Sequence, residues 1–175
     1  MTKARIVILA SGSGSIAQAI IDAQKIGALN AEIVGVISDQ VSAHVLKRSA
    51  DAGIPSQVIP MTTDRSQWDQ QIIATLKELQ PDLVVSAGFM RILSPECVSK
   101  FKIVNSHPAL LPLFPGAHAV RDALAAGATT TGTTIHWVDS GVDTGQIIAQ
   151  EAVEITGADT EESLHERIKI IERRL

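Results

Sequence analysis

Arg5-Ile6-Val7-Ile8-Leu9-Ala10, running directly into Ser11-Gly12-Ser13-Gly14-Ser15, is the stretch whose reading decides the fold. A nearly continuous apolar run stops at a glycine-rich turn, after which Ile16, Ala19, Ile20 and Ala23 recur at helical spacing. Strand, turn and helix follow one another, and the order repeats downstream. Ile33 to Ile37 is a second buried strand bounded by Ser38-Asp39, and the spacing predicts a helix over 41–52 that ends at Gly53. A short strand at 57–59 precedes a helix that carries Trp68, Ile72, Ile73, Leu76 and Leu79 on one face and stops at Pro81. Further strands are expected at 82–87, 102–105, 133–138 and 147–153, separated by loops rich in Pro and Gly. A last helix should present Leu164, Ile168, Ile171 and Leu175 together, with Asp159 or Thr160 as its N-cap.

Short buried strands alternating with amphipathic helices need both faces of a mainly parallel sheet covered, which is the doubly wound α/β architecture. In such sheets ligands lie beyond the carboxyl ends of the strands, so the loops at 11–15, 86–93, 105–118 and 139–145 should converge. The chain has 175 residues, 45% of them apolar and 19% charged, which suits one compact domain over 1–175. With 15 basic and 19 acidic residues, no Lys/Arg run and few aromatics, it offers nothing for a nucleic-acid strand. The lone Cys97 excludes an internal disulfide and lacks the companions of a zinc site, so no metal is expected. The first apolar run is too short to span a membrane and no cleavage-site pattern follows it, so a soluble, cytoplasmic protein is expected, with no membrane partner.

The turn at 11–15 suits an anion, because unpaired backbone N–H groups and the helix dipole point at whatever sits there. It also fits the dinucleotide pattern G-x-G-x-x-A over Gly12 to Ala17, with Asp39 where a ribose-binding acid would stand. A phosphorylated small molecule, a dinucleotide and a structural turn therefore all remain open at this point. Further on, Asn105 and His107 are two residues apart in extended chain, so both side chains leave the same face. Pro108 ends that strand. In the segment Asp139-Ser140-Gly141-Val142-Asp143-Thr144-Gly145, Asp139 reads as a turn former and Asp143 as a carboxylate able to approach His107. A carboxylate beside an imidazole favours the protonated ring and fixes its orientation for acid catalysis.

Three segments, Ala87-Gly88-Phe89-Met90-Arg91-Ile92-Leu93-Ser94, Asn105-Ser106-His107-Pro108 to Gly116, and Asp139 to Gly145, resemble the folate-dependent formyltransferase superfamily. Within it the glycine-rich loop, Gly88 to Leu93 and Val142-Asp143-Thr144-Gly145 are similar to the phosphoribosylglycinamide formyltransferases, over Ile6 to Leu175. The resemblance implies a Rossmann-like formyltransferase fold and transfer of a formyl group from 10-formyltetrahydrofolate to the amine of glycinamide ribonucleotide, in de novo purine biosynthesis, without a metal. It implies Asn105, His107 and Asp143 as catalytic. Ser13, Gly14, Ser15, Ile16 and Glu172 then hold the ribonucleotide. Arg65, Met90, Arg91, Ile92, Leu93, Asn105, Asp139, Ser140, Gly141, Val142 and Asp143 line the folate pocket. His118 and His136 match recurrent histidines that either support the site residues or are structural, and a homodimer is left open.

Several positions depart from the family pattern. Ile16-Ala17 stands where Asn-Leu is common, leaving backbone N–H groups as the phosphate contacts. Asp39-Gln40 replaces a frequent Asn-Lys, Val120 a frequent His and Gln146 a frequent Pro. Family members usually continue beyond the equivalent of Leu175, so the chain is expected to lack a C-terminal extension. Two rival functions remain: a formyltetrahydrofolate hydrolase, with water as acceptor, and a noncatalytic nucleotide-binding module built on the glycine-rich loop and Asp39.

Overall fold

The structure, a computed structural model, describes residues 3–175. The chain forms two compact units, one extending to Ile103 and the other from Val104 to Leu175.

In the first unit β1 (Ala4–Leu9), α1 (Ser15–Lys25), β2 (Ala31–Ser38), α2 (His44–Asp51), β3 (Ser56–Val58), α3 (Arg65–Leu79), β4 (Leu83–Ser86) and α4 (Pro95–Lys100) alternate. The strands lie in the order β3-β2-β1-β4, all parallel. Order reverses between β1 and β4, and the loops that leave their carboxyl ends are those at 11–15 and 86–93. Parallel strands need cover on both faces, and the sequence supplies it. Ile6, Ile8, Ile33 and Val36 of the sheet pack with Ala17 and Ile21 of α1 and Val45 of α2. On α3, Trp68, Ile72, Ile73 and Leu76 are buried, and the Trp68 indole N–H donates to the Ile59 carbonyl at 2.9 Å.

The second unit contains β5 (Ile103–His107, which begins at the boundary), α5 (Ala119–Ala125), β6 (Thr130–Trp137), β7 (Ile147–Glu154) and α6 (Glu161–Glu172). Its strands follow the order β5-β6-β7 and run antiparallel, an orientation that apolar spacing does not encode. Val120 of α5, Val153 of β7 and Leu164 and Ile168 of α6 form its core. Thr160 caps α6 in a reciprocal box with Ser163, as the cap pattern suggested. The helix stops at Glu172, so Leu175 lies past its end and is exposed rather than on the apolar face.

Two helices went unforeseen. At α4, Ser94 accepts from the Cys97 N–H at 3.2 Å and Pro95 occupies the first turn, a start signal that the short apolar content hides. Seven-residue α5 is too short to show a period. Cys97 is buried, and burial pushes its thiol up to about 12, where it is inert. Among the described residues no helix is long and apolar enough to cross a membrane.

Candidate active site

In the first unit the glycine-rich turn is built for close approach. Gly14 is the N-cap of α1 with φ +70°, and a Cβ there would lie 2.6 Å from a methyl carbon of Val45. Only glycine accommodates both the positive φ and the contact. The Val45 N–H donates to the Gly12 carbonyl at 3.1 Å and Arg48 Nε to the Ser13 carbonyl at 2.8 Å, so α2 clamps the turn from outside. The first N–H groups of α1 have no intrahelical acceptor. Ile16, the second residue of α1, is partly buried against the core and has no polar group to offer the loop, in keeping with anion contacts from the backbone alone.

The loop after β4 meets this turn. The Ser11 N–H donates to the Gly88 carbonyl at 3.1 Å, and the Ser11 hydroxyl accepts from the Met90 N–H at 2.8 Å. Met90 and Ile92 are exposed, Leu93 is buried, and Arg91 Nε donates to Asp39 at 2.6 Å. Arg65, at the start of α3, donates to the Ile92 carbonyl and to Asp69. Asp39 is not placed as a ribose-binding acid: its side chain is fully enclosed and already paired with Arg91.

In the second unit β5 reaches His107, so Asn105 and His107 both lie in the strand and share a face. The left-handed backbone of Asp143, φ 55°, brings its carboxylate to them, and the Gly116 N–H donates to it at 2.8 Å. His107 Nδ1 lies 3.3 Å from one carboxylate oxygen and His136 Nε2 3.5 Å from the other. Asp143 therefore bridges two buried imidazoles. Burial raises its carboxyl, but hydrogen bonding to His136 and Gly116 and the two imidazoles outweigh burial, and the group is held below the ordinary carboxylate range.

His136, expected to support the site residues or to be structural, supports two of them. It sits opposite Asn105 across β5 and β6, with its Nε2 3.3 Å from the Asn105 amide. Its Nδ1 donates to the Trp137 carbonyl at 2.9 Å. Burial depresses its pKa, while Asp143, the Trp137 carbonyl and Asp139 together raise it above the ordinary value. The Asn105 atom facing that ring is the amide nitrogen Nδ2, which carries two N–H groups, so one faces His136 while the other stays available.

His107 differs from expectation in one respect: its Nε2 donates to the Phe114 carbonyl at 2.8 Å, so neither ring nitrogen is free. Asp139 is the turn former that the residues suggested, accepting from the Gly141 N–H at 3.0 Å and the Thr144 hydroxyl at 2.7 Å. Ser140, Gly141 and Val142 form the exposed tip of that turn. Glu172 is buried and accepts from the Ser106 hydroxyl at 2.7 Å. Ser106 alternates with Asn105 and His107, so this pair occupies the other face of β5. His118 is the exposed cap of α5. Among the described residues no group of three His, Cys, Asp or Glu is placed to hold a metal ion.

The formyl transferase family matches residues 4–175. The chain belongs to the formyl transferase family. It is 48% identical to the phosphoribosylglycinamide formyltransferase of Mycobacterium tuberculosis, over 98% of the chain and 81% of that protein. It is 45% identical to the trifunctional purine biosynthetic protein adenosine-3 of Bos taurus, over 99% of the chain but 18% of that longer protein. Among solved structures, glycinamide ribonucleotide transformylase 1 from Symbiobacterium toebii matches with a TM-score of 0.96 and 38% identity, over 99% of the chain and 84% of that structure. Phosphoribosylglycinamide formyltransferase from Bacillus halodurans matches with a TM-score of 0.93 and 44% identity, over 98% and 90%. This formyltransferase thus has the Rossmann-like, mainly parallel α/β fold expected of it, and its antiparallel strands belong to the second unit.

Proposed function

We propose that the chain, acting as one formyltransferase domain, transfers the formyl group of 10-formyltetrahydrofolate to the primary amine of glycinamide ribonucleotide, a step of de novo purine biosynthesis. The observation that carries this reading is the carboxylate of Asp143 bridging His107 and His136, with Asn105 beside them, in a chain 48% identical to an enzyme of that name.

The amine nitrogen attacks the formyl carbon, a new C–N bond forms and the carbonyl oxygen becomes an oxyanion. The bond to the folate N10 then breaks, N10 gains a proton and the attacking nitrogen loses one. Asn105, held beside His136, supplies an amide N–H to the oxyanion. His107 reaches the oxyanion when its Nε2 exchanges the Phe114 carbonyl for the substrate, and Asp143 keeps the ring aligned while it does so. The ionised Asp143 takes up the proton of the attacking amine through water. The Ser13 to Ile16 backbone holds the ribonucleotide phosphate, and Glu172 contacts the ribonucleotide. Arg65, Met90 to Leu93 and the turn at 139–143 hold the folate.

The test is an assay of formyl transfer with glycinamide ribonucleotide present and absent. Formylated ribonucleotide is expected only when the amine is supplied. Formate release without it identifies a hydrolase instead, and no reaction of either kind removes the proposal.

A further inference from the structure

The loop that leaves β5 folds back onto it. It starts at the His107 backbone and reaches Phe114, whose carbonyl accepts from His107 Nε2 at 2.8 Å. Slightly farther on, the Gly116 N–H donates to Asp143 at 2.8 Å. The placing of this one loop therefore sets a partner of His107 and a partner of Asp143. The side chains that pin the loop lie on β6 and β7, and the chemistry above makes no use of them.

Thr134 stands opposite His107 across β5 and β6, and Gln150 stands opposite Thr134 across β6 and β7. Paired residues of neighbouring strands project from the same face, so the three side chains form a row. Thr134 is buried, and its hydroxyl donates to the Ala109 carbonyl at 2.6 Å while accepting from the Leu111 N–H at 3.1 Å and from Gln150 Nε2 at 2.9 Å. Gln150 Nε2 also donates to the Leu111 carbonyl at 2.9 Å. The whole hydrogen-bonding capacity of that hydroxyl, and both N–H groups of that amide, are thus engaged by the loop or by each other. Between the pinned residues, Leu110 packs over Gly132 of β6, where a Cβ would lie 2.7 Å from a Leu110 methyl carbon. Pro112 and Leu113 are all that separate Leu111 from Phe114, and the Leu113 N–H is itself bonded to the Leu110 carbonyl at 3.0 Å.

Apolar cover alone would keep the loop on the sheet, but a fully satisfied polar network also fixes where it sits. We infer that Thr134 and Gln150 are positioning residues for formyl transfer, acting through the loop on His107 and Asp143. This inference rests on the formyl-transfer reading and extends it. A loop released from Thr134 lets the Phe114 carbonyl and the Gly116 N–H drift, so the imidazole and the carboxylate lose their common alignment when the oxyanion forms.

The experiment is steady-state formyl transfer by the full chain carrying Thr134→Val, which keeps the shape and removes the hydroxyl, Thr134→Ser, which keeps the hydroxyl, or Gln150→Leu. Thr134→Val should lower kcat by roughly 10- to 100-fold with both KM values near wild type, and Thr134→Ser should restore most of the loss. Gln150→Leu leaves the two direct bonds of Thr134 to the loop and should lower kcat by roughly three- to tenfold. In nitrogen-15 histidine spectra the His107 Nε2 signal should move in Thr134→Val and return to its wild-type position in Thr134→Ser. A merely structural role would shift the thermal midpoint and leave the kcat of the folded protein and that signal unchanged. Gln150→Leu, on the edge strand, carries the test if Thr134→Val does not fold. An unchanged kcat in the variant tested, or a loss that Thr134→Ser does not restore, overturns the inference while wild-type transfer keeps the formyl-transfer reading. A wild type that transfers no formyl group removes that reading and the inference with it.

Discussion

The two units handle polar groups in opposite ways. In the first, the turn at 11–15 presents main-chain N–H groups, and its geometry depends on Gly14 against Val45 and on the clamp from α2. In the second, polar side chains converge: Asn105, His107, His136 and Asp143 lie within a few hydrogen-bond lengths, mostly buried, with ionisation set by one another. The difference matches the tasks proposed for them. A phosphate that does not react needs fixed dipoles that never titrate, whereas an oxyanion that forms and collapses needs donors and a carboxylate whose charge is tuned by burial.

Perturbing each unit should therefore break different quantities. Asn105→Ala removes the donor proposed for the oxyanion and should lower kcat by roughly 10² to 10³ with little change in ribonucleotide KM, checked by steady-state kinetics. A matching loss of ribonucleotide binding would blur the distinction. Gly14→Val places a branched side chain at positive φ against Val45. It should cost about 2–4 kcal/mol of stability by denaturant unfolding and abolish ribonucleotide binding before it touches the second unit's chemistry.

The smallest effect is electrostatic. The His136 pKa is raised in the fold, so its stabilisation is fully present below the ordinary value of 6.5 and is lost as pH rises through the raised value. Asp143 is lowered, so its share is present above 3.8 and is lost as pH falls through the lowered value. Wild type should thus exceed His136→Gln in stability most in mildly acid solution, with the gap closing at alkaline pH in denaturant unfolding. A gap that widened with pH would refute the assigned charge.

Much of the first unit was legible because its signals are local. Apolar runs, a glycine-rich turn and caps act over a few residues, and Ile6, Gly14 and Trp68 each fell where periodicity put them. In the second unit the residues of the site and the approach of Asp143 to His107 were legible, but their other partners were not. Asn105 faces His136 through the β5–β6 register, and His107 meets the Phe114 carbonyl through a loop whose path depends on positive φ at Phe114 and Gly116. Strand register and left-handed loop residues depend on tertiary packing, which local sequence does not specify. Asp39 illustrates the same limit: the pattern G-x-G-x-x-A with a following acid was present, yet Arg91, 52 positions on, occupies the acid and closes it to a ribose.

The division of labour is tested most directly in Asp143→Asn, by following labelled formyl transfer to glycinamide ribonucleotide alongside calorimetric binding of the ribonucleotide alone. The transfer rate should fall by roughly 10² or more, with ribonucleotide affinity within about twofold of wild type. Transfer at the wild-type rate would contradict it.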